Sequence, residues 1–226
     1  MTSAVIVAAG RGTRMGPDID KLFLQVAGRP VVAHTWLRFD GVAEIGEIIL
    51  VVREGMESAF KEMGKELRPK KPWRAVIGGK ERQDSVWNGL QALAKETEVV
   101  AIQDGARPCT SEALICETLD WARQTGAAVA AQRVTDTIKE SEDGNVIARN
   151  VDRSKLWSVQ TPQAFRVNVI KRAIEAARER GLHLTDDTAA CELIGQAVRL
   201  VEGKEPNPKV TLPTDIPYIE MLLRAH

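Results

Sequence analysis

The segment Gly10–Lys21 contains the residues best suited to chemistry on a phosphorylated ligand. It follows an apolar run at positions 4–9, and its small residues let a ligand approach the backbone and its N–H groups. Arg11, Arg14 and Lys21 place positive charge beside the same segment. Because exposed N–H donors and fixed cations are what a polyphosphate requires, the segment predicts a phosphate-binding loop.

Three kinds of phosphate-binding loop are candidates for this segment. A Walker A loop requires G-x-x-x-x-G-K-[ST], and the sequence contains no Gly-Lys-Ser/Thr. A dinucleotide-binding fingerprint requires a third glycine where Met15 stands. The third pattern, A-A-G-x-G-x-R-M followed by a lysine, resembles that of nucleotidyltransferases, and the matching residues are Ala8, Ala9, Gly10, Gly12, Arg14, Met15 and Lys21. A tight turn from strand to helix, with solvated arginines, is the purely structural alternative.

Asp104 is the second chemical feature of the sequence. It directly follows an apolar run at 99–103 and precedes Gly105. A carboxylate in this position can hold Mg²⁺, which favours one or two carboxylates plus substrate phosphates, although it can also cap a helix or stabilise a turn. Arg107 suits an anionic ligand but is equally compatible with a solvated loop.

Alternating strand-like and helix-like runs predict the elements that must position these residues. Strands are predicted at 4–9, 48–52, 73–77, 99–103, 127–131 and 197–201, and helices at 30–39, 55–67, 85–93, 112–125, 167–180, 186–194 and 214–223. Such alternation predicts an α/β fold with a mostly parallel sheet, in a single domain at 1–226. Ligands of open α/β sheets bind at the carboxyl ends of the strands, so Gly79, Ser85 and Asp104 should lie near the glycine-rich segment.

Residues 133–157 differ from the rest of the chain because they are polar and contain a turn signal at Glu142–Asn145. Short β-like flanks at 137–139 and 146–148 predict a β-hairpin arm that leaves the main body. A hairpin with so little apolar surface is marginal alone, so we expect it to pack on another surface, and a second subunit is the natural candidate. A flexible flap on a monomer is the alternative.

Charge and cysteine content limit the classes of partner. The 31 Lys and Arg residues balance 31 Asp and Glu, so no overall field attracts nucleic acid or an anionic membrane. No apolar run reaches the length of a membrane span, and the first residues lead into a strand without a signal-peptide pattern. The cysteines form no C-x-x-C or zinc-finger pattern and fit a reducing compartment. We therefore expect a cytoplasmic protein that binds neither nucleic acid nor membranes.

Five blocks of sequence, taken in order, resemble a known family over essentially the whole chain. They are VIVAAGRGTRMG with Lys21, GGKERQDSV (78–86), QDGARP (103–108), VDRSKLWSVQTPQAF (151–165) and KVTLPTD (209–215), together with LTDD at 184–187. The family is the 2-C-methyl-D-erythritol 4-phosphate cytidylyltransferases of the non-mevalonate isoprenoid pathway. The resemblance implies a Rossmann-like α/β domain of the nucleotidyltransferase type, Mg²⁺ dependence, and a homodimer joined by a hairpin arm.

The resemblance also implies roles for individual positions. The implied catalytic cations are Arg14 and Lys21, at the reacting α-phosphate, and Lys209, near the methylerythritol phosphate. The implied nucleotide-binding residues are Ala8, Ala9, Gly10, Gly12, Gly79 and Ser85. The implied substrate-binding residues are Asp104, Arg107, Thr137, Arg153, Thr161 and Thr185. Asp104 would also hold the metal, and Arg153 would reach the site from the other subunit.

Three departures from the family pattern surround these positions. Asp20-Lys21-Leu22 stands where the family usually has Pro-Lys-Gln, so the loop loses a proline and Asp20 is placed where it can pair with Lys21 and weaken it. Lys80 replaces a common aspartate near the base, and Gly105 replaces a frequent alanine.

The reaction that the resemblance implies is transfer of CMP. The phosphate monoester of the acceptor attacks the α-phosphorus of CTP in line and pyrophosphate leaves, so the protein mainly positions the reactants and stabilises charge. A cytidylyltransferase for another polyol phosphate, such as ribitol 5-phosphate, remains an alternative, because Arg153, Thr161 and Lys209 do not identify the polyol. A non-catalytic nucleotide-binding regulator with the same fold is the other alternative.

Overall fold

Seven strands pair into one sheet in the computed structural model, which describes residues 1–10 and 20–225. In chain order the strands are β1 (Thr2–Ala8), β2 (Gln25–Val26), β3 (Arg29–Pro30), β4 (Ile45–Val52), β5 (Trp73–Ile77), β6 (Val99–Asp104), β7 (Ala127–Arg133), β8 (Lys139–Glu140), β9 (Arg149–Asn150), β10 (Trp157–Arg166) and β11 (Arg199–Glu202). The helices are α1 (Val31–Gly41), α2 (Glu57–Leu67), α3 (Arg82–Gln91), α4 (Glu112–Thr125), α5 (Val167–Glu179), α6 (Asp187–Leu193) and α7 (Ile216–Arg224).

The central strands of the sheet are parallel and apolar on both faces. The strand order is β11-β7-β10-β6-β1-β4-β5, and only β10 runs antiparallel to its neighbours within this sheet. Val5 of β1 lies opposite Ile49 of β4 and Ile102 of β6, and all three are fully buried. Strands covered on both faces have continuous apolar sequences, as here. The predicted Rossmann-like α/β class with a mostly parallel sheet is confirmed.

Successive strand residues point to opposite sides of the sheet, so the apolar strands present an apolar surface on each face. Helices cover both of these faces. Ile6 of β1 packs into a core with α1, α2 and α4, to which Trp36 belongs. Its neighbour Val5 packs into the opposite core with α3, α5 and α6, to which Leu90 and Ile170 belong. Among the described residues, every helix is too short or too polar to cross a bilayer.

Two β-structures were not predicted from the sequence. The short β2–β3 hairpin is one, and β10 is the other. β10 contains Pro162, and its pairing with β7 shifts register between Val159 and Gln163. Proline is disfavoured inside a sheet, so the sequence of β10 lacks the pattern typical of a strand. For this reason β10 was not predicted from the sequence.

Residues 133–157 form the predicted hairpin arm. β8 and β9 pair in antiparallel fashion, with Lys139 opposite Asn150 and Glu140 opposite Arg149. The return strand of the hairpin, Arg149–Asn150, therefore begins directly after the predicted flank at 146–148. Both strands are exposed, and they extend from the main sheet between β7 and β10.

Candidate active site

A cavity opens at the carboxyl ends of β1 and β6, on the edge of the sheet where the sequence predicts the ligand. The predicted site residues that line it are Ala9, Gly10, Lys21, Gly79, Ser85, Asp104 and Lys209. Ala8 ends β1 as a buried residue and is not part of the lining. Gly12 and Arg14 lie outside the residues that the structure describes.

A second cavity shares three charged residues with the first. The shared residues are Arg82, Asp104 and Lys209. The predicted acceptor-binding residues in its wall are Arg107, Thr161 and Thr185. Five of the nucleotide-binding residues and acceptor-phosphate cations predicted from sequence, Gly79, Ser85, Lys21, Arg107 and Lys209, thus line two cavities that meet at one carboxylate and two cations.

Three cations surround the carboxylate of Asp104. Its Oδ2 lies 2.7 Å from Nζ of Lys209 and 3.7 Å from Nε of Arg107, and its Oδ1 lies 3.5 Å from Nε of Arg82. Burial alone would raise the pKa of this carboxyl, but the charges of Lys209, Arg82 and Arg107 outweigh burial and lower the pKa to about 2. Asp104 is therefore ionised throughout the neutral pH range.

Buried hydrogen bonds hold the chain on either side of Asp104. The backbone N–H of Asp104 donates to Oγ1 of Thr161 at 3.0 Å, and Nη1 of Arg107 donates to the carbonyl oxygen of Asn207 at 2.6 Å. Nδ2 of Asn207 in turn donates to the carbonyl oxygen of Thr161 at 2.8 Å. Asn207 was missed from the sequence because its only local signal is its position between two prolines.

Gly79 and Ser85 form a slot on the other side of the first cavity. The backbone N–H of Gly79 donates to Oγ of Ser85 at 3.1 Å, and this hydroxyl donates to the carbonyl oxygen of Glu81 at 3.2 Å. A Cβ added at Gly78 would lie 2.5 Å from Cβ of Ala9 and 2.7 Å from Oγ of Ser85. Only glycine fits this close approach between the segment after β5 and Ala9.

Arg82, the first residue of α3, is a cation of the site that the motif pattern did not distinguish. Its Nη2 lies 2.9 Å from Oδ2 of the buried Asp187, while its Nε faces Asp104. Burial by itself lowers the pKa of Arg82, but Asp187 and Asp104 outweigh burial and raise it, so the guanidinium stays charged. Asp187 lies 105 residues away in the chain, and only the tertiary structure brings it to Arg82.

Lys21 enters the first cavity from a turn that begins at Asp20. Its Nζ donates to the carbonyl oxygen of Val210 at 2.9 Å. The Asp20 carboxylate, expected from sequence to weaken Lys21, is engaged elsewhere: Oδ2 lies 2.8 Å from Nη2 of Arg53, and Oδ1 accepts the backbone N–H of Leu22 at 3.2 Å.

Thr137 and Arg153 lie in the arm and line a separate cavity there. Arg153 donates to the carbonyl oxygen of Thr135. The arm cavity shares no residue with the two cavities at the sheet edge, so a single chain does not bring these two residues to the site. Their place in the acceptor site stays a prediction that requires a partner subunit.

Asp104 is also the residue predicted to hold a metal ion. Within residues 1–10 and 20–225, no three His, Cys, Asp or Glu side chains form a cluster that could hold a metal. One ionised carboxylate fits Mg²⁺ where phosphate oxygens and water complete the coordination, and Asp104 lines the same cavity as Lys21 and Lys209. The residues present thus fit a metal that arrives with a nucleotide.

A mostly parallel sheet with a glycine slot, lysines and a carboxylate at its carboxyl edge defines a nucleotide-binding α/β protein of the nucleotidyltransferase type. Residues 2–225 match the protein family described as 2-C-methyl-D-erythritol 4-phosphate cytidylyltransferase. Two relatives of that name support the match. One, from Geobacillus kaustophilus, is 43% identical over 222 residues, which cover 98% of this chain and 96% of the relative. The other, from Caldanaerobacter subterraneus, is 42% identical over 223 residues, which cover 98% of both chains.

Solved structures agree with the sequence comparisons. A 4-diphosphocytidyl-2C-methyl-D-erythritol synthase from Anaerococcus prevotii has a TM-score of 0.87 and 32% identity, over 99% of this chain and 96% of the other. A 2-C-methyl-D-erythritol 4-phosphate cytidylyltransferase from Thermus thermophilus has a TM-score of 0.81 and 34% identity, over 99% of this chain and 100% of the other. The chain belongs to the 2-C-methyl-D-erythritol 4-phosphate cytidylyltransferase family, and the resemblance stated from sequence is confirmed.

Proposed function

We propose that this protein transfers the cytidylyl group of CTP to 2-C-methyl-D-erythritol 4-phosphate and releases pyrophosphate. The observation that carries the proposal is the junction of the two cavities at Arg82, Asp104 and Lys209. A transfer between two phosphorylated substrates needs two adjoining anion sites, and this junction joins them.

The first cavity supplies the groups that a nucleoside triphosphate requires. The slot at Gly79 and Ser85 offers backbone groups and a hydroxyl to a flat base such as cytosine. Lys21 lies in the same cavity, where its charge can stabilise the oxygens of the α-phosphate. Arg14 is proposed to share this role, on the strength of its position in the family motif.

The second cavity supplies cations for the acceptor phosphate. Arg107 and Lys209 line it together with the hydroxyls of Thr161 and Thr185. An acceptor phosphate bound here lies beside the first cavity, so one of its oxygens can attack the α-phosphorus of CTP. The new P–O bond forms as the bond to the pyrophosphate bridging oxygen breaks, and no side-chain nucleophile is needed.

Mg²⁺ is proposed as the cofactor, held by Asp104 and the triphosphate. When bound, the ion neutralises phosphate charge. Asp104 is suited to this because it is ionised and faces the first cavity. Lys209, whose Nζ lies 2.7 Å from the same carboxylate, holds Asp104 in place. The ammonium group of Lys209 can also bind the acceptor phosphate.

A homodimer and a cytoplasmic location complete the proposal. The arm exposes two apolar side chains, Val146 and Ile147, whose burial against a second subunit would be favourable, and it carries Thr137 and Arg153. Cys109, Cys116 and Cys191 are free thiols, which is the state that a reducing cytoplasm maintains.

Pyrophosphate release with Mg²⁺ and CTP tests the function directly. We expect release that depends on 2-C-methyl-D-erythritol 4-phosphate and is weak with ribitol 5-phosphate. Release with ribitol 5-phosphate alone would keep the chemistry and replace the acceptor. Binding of CTP without release for either acceptor would overturn the enzymatic proposal in favour of a regulator.

A further inference from the structure

We propose that Arg53 is a positioning residue for the transfer reaction, because through the Asp20 carboxylate it fixes the turn that presents Lys21. This inference rests on the role of Lys21 in the proposed function. Arg53 lines neither cavity at the sheet edge, so its influence on the reaction is indirect.

The two oxygens of the Asp20 carboxylate bind different parts of the molecule. Oδ1 accepts the backbone N–H of Leu22 at 3.2 Å, and the carbonyl oxygen of Asp20 accepts the N–H of Phe23 at 3.0 Å. Asp20 therefore forms the first residue of a tight turn that contains Lys21. Oδ2 is left to accept Nη2 of Arg53 at 2.8 Å.

Arg53 connects that turn to a rigid part of the fold. It directly follows β4, a strand that pairs with β1 on one side and β5 on the other. Its carbonyl oxygen accepts the N–H of Met56 at 3.0 Å, which fixes the backbone where the guanidinium originates. The ion pair thus ties the start of the turn to the edge of the sheet from which the cavity opens.

The other end of the turn is anchored separately. Leu22 is only 3% exposed, and its carbonyl oxygen accepts the N–H of Val32 at 3.1 Å. Lys21 is consequently held between a packed residue on one side and the Asp20–Arg53 pair on the other.

The position of Lys21 matters because its charged Nζ must lie close to the oxygens of the reacting α-phosphate. Misplacing a catalytic group by about 1 Å can lower the rate by about 10²-fold. The Asp20 and Arg53 side chains are 24% and 28% exposed, so the pair adds little to folding stability. Loss of the pair should therefore lower the rate while leaving the fold intact.

A double-mutant cycle on the full-length protein tests the proposal. We expect Arg53→Ala and Asp20→Ala each to lower kcat by about 10-fold to 10²-fold, with the KM for CTP changed much less. The double variant should be no worse than Asp20→Ala alone, because Asp20→Ala already removes the link to Arg53 together with the hydrogen bond to Leu22. Arg53→Lys, which keeps a cation near Asp20, should restore part of the kcat.

Arg74→Ala is the matched control. Its Nη2 pairs with Oε2 of Glu47 at 2.6 Å near the amino end of the strands, away from the cavity. This control should leave kcat unchanged, whereas Arg53→Ala should lower it.

Three results would overturn the inference, and a fourth would overturn the function beneath it. Unchanged kcat in Arg53→Ala, when Lys21→Ala is impaired, would show that the pair does not position Lys21. A raised KM for CTP in Arg53→Ala that Asp20→Ala does not reproduce would make Arg53 a direct ligand of the triphosphate. Additive losses of kcat in the double variant would show that Arg53 and Asp20 act independently. If Lys21→Ala itself kept normal kcat, the proposed role of Lys21 would fail first.

Discussion

Asp104 illustrates at the scale of one residue how the fold prepares a site for anions. The carboxylate faces Lys209, Arg82 and Arg107, and Lys21 lines the same cavity. Cations outnumber carboxylates at this junction, so the cavity attracts phosphorylated ligands although the chain has no net charge.

The depressed pKa of Asp104 predicts a pH dependence of stability. Because the folded-state pKa of about 2 lies below the ordinary value of 3.8, ionised Asp104 adds stability that is complete above about pH 4 and lost as the pH falls through 2. The contribution is about 2 kcal/mol. Urea unfolding of wild type and Asp104→Asn between pH 2 and 6 measures it. A slope between pH 4 and 2 that is identical in the two proteins would contradict the assignment.

The motif blocks predicted several residues that the structure brings together, but not the residues that support them. Lys21, Asp104, Arg107 and Lys209 were predicted because they stand in motif blocks, and the structure brings them to adjoining cavities. The supports Arg53, Arg82 and Asn207 act through partners that are distant in sequence, so no local pattern identifies them.

The segment between β5 and α3 shows at the scale of elements why a slot needs glycine. At Gly78 an added Cβ would lie 2.5 Å from Cβ of Ala9, so Gly78→Ala must push the segment away from β1. We expect a higher KM for CTP and a loss of about 1–3 kcal/mol in unfolding free energy.

Gly41→Ala is the control for this substitution, because a Cβ added at Gly41, the last residue of α1, meets no atom within 4 Å. Its KM for CTP should be unchanged. Steady-state kinetics with varied CTP and urea unfolding of both variants provide the measurement, and a normal KM for CTP in Gly78→Ala would show that the slot does not hold the base.

Elements with a strong periodic pattern were predicted well, and those that depend on distant pairing were not. β5 and α4 have the predicted bounds, because a short apolar run and a Ser111-capped amphipathic helix are signalled locally. β10 is a strand because it pairs with β6 and β7, and its polar, proline-containing sequence does not predict that pairing.

The arm makes a prediction at the scale of the whole molecule. Two-stranded hairpins are marginal alone, and Val146 and Ile147 are 67% and 63% exposed. We expect a sedimentation mass of twice the chain mass of 24.8 kDa, and a raised KM for the acceptor in Arg153→Ala. A mass of one chain would make the arm a flap and remove Arg153 from the site.

The single-turnover rate of Lys21→Ala tests most directly that transfer occurs in the cavity at the ends of β1 and β6. With saturating CTP, 2-C-methyl-D-erythritol 4-phosphate and Mg²⁺, we predict a loss of about 10²-fold to 10³-fold, because Lys21 acts on charge that grows in the transition state. Lys80→Ala, which removes another lysine from the lining of the same cavity, should keep most of the rate. A near-normal rate in Lys21→Ala would contradict the placement of the reaction.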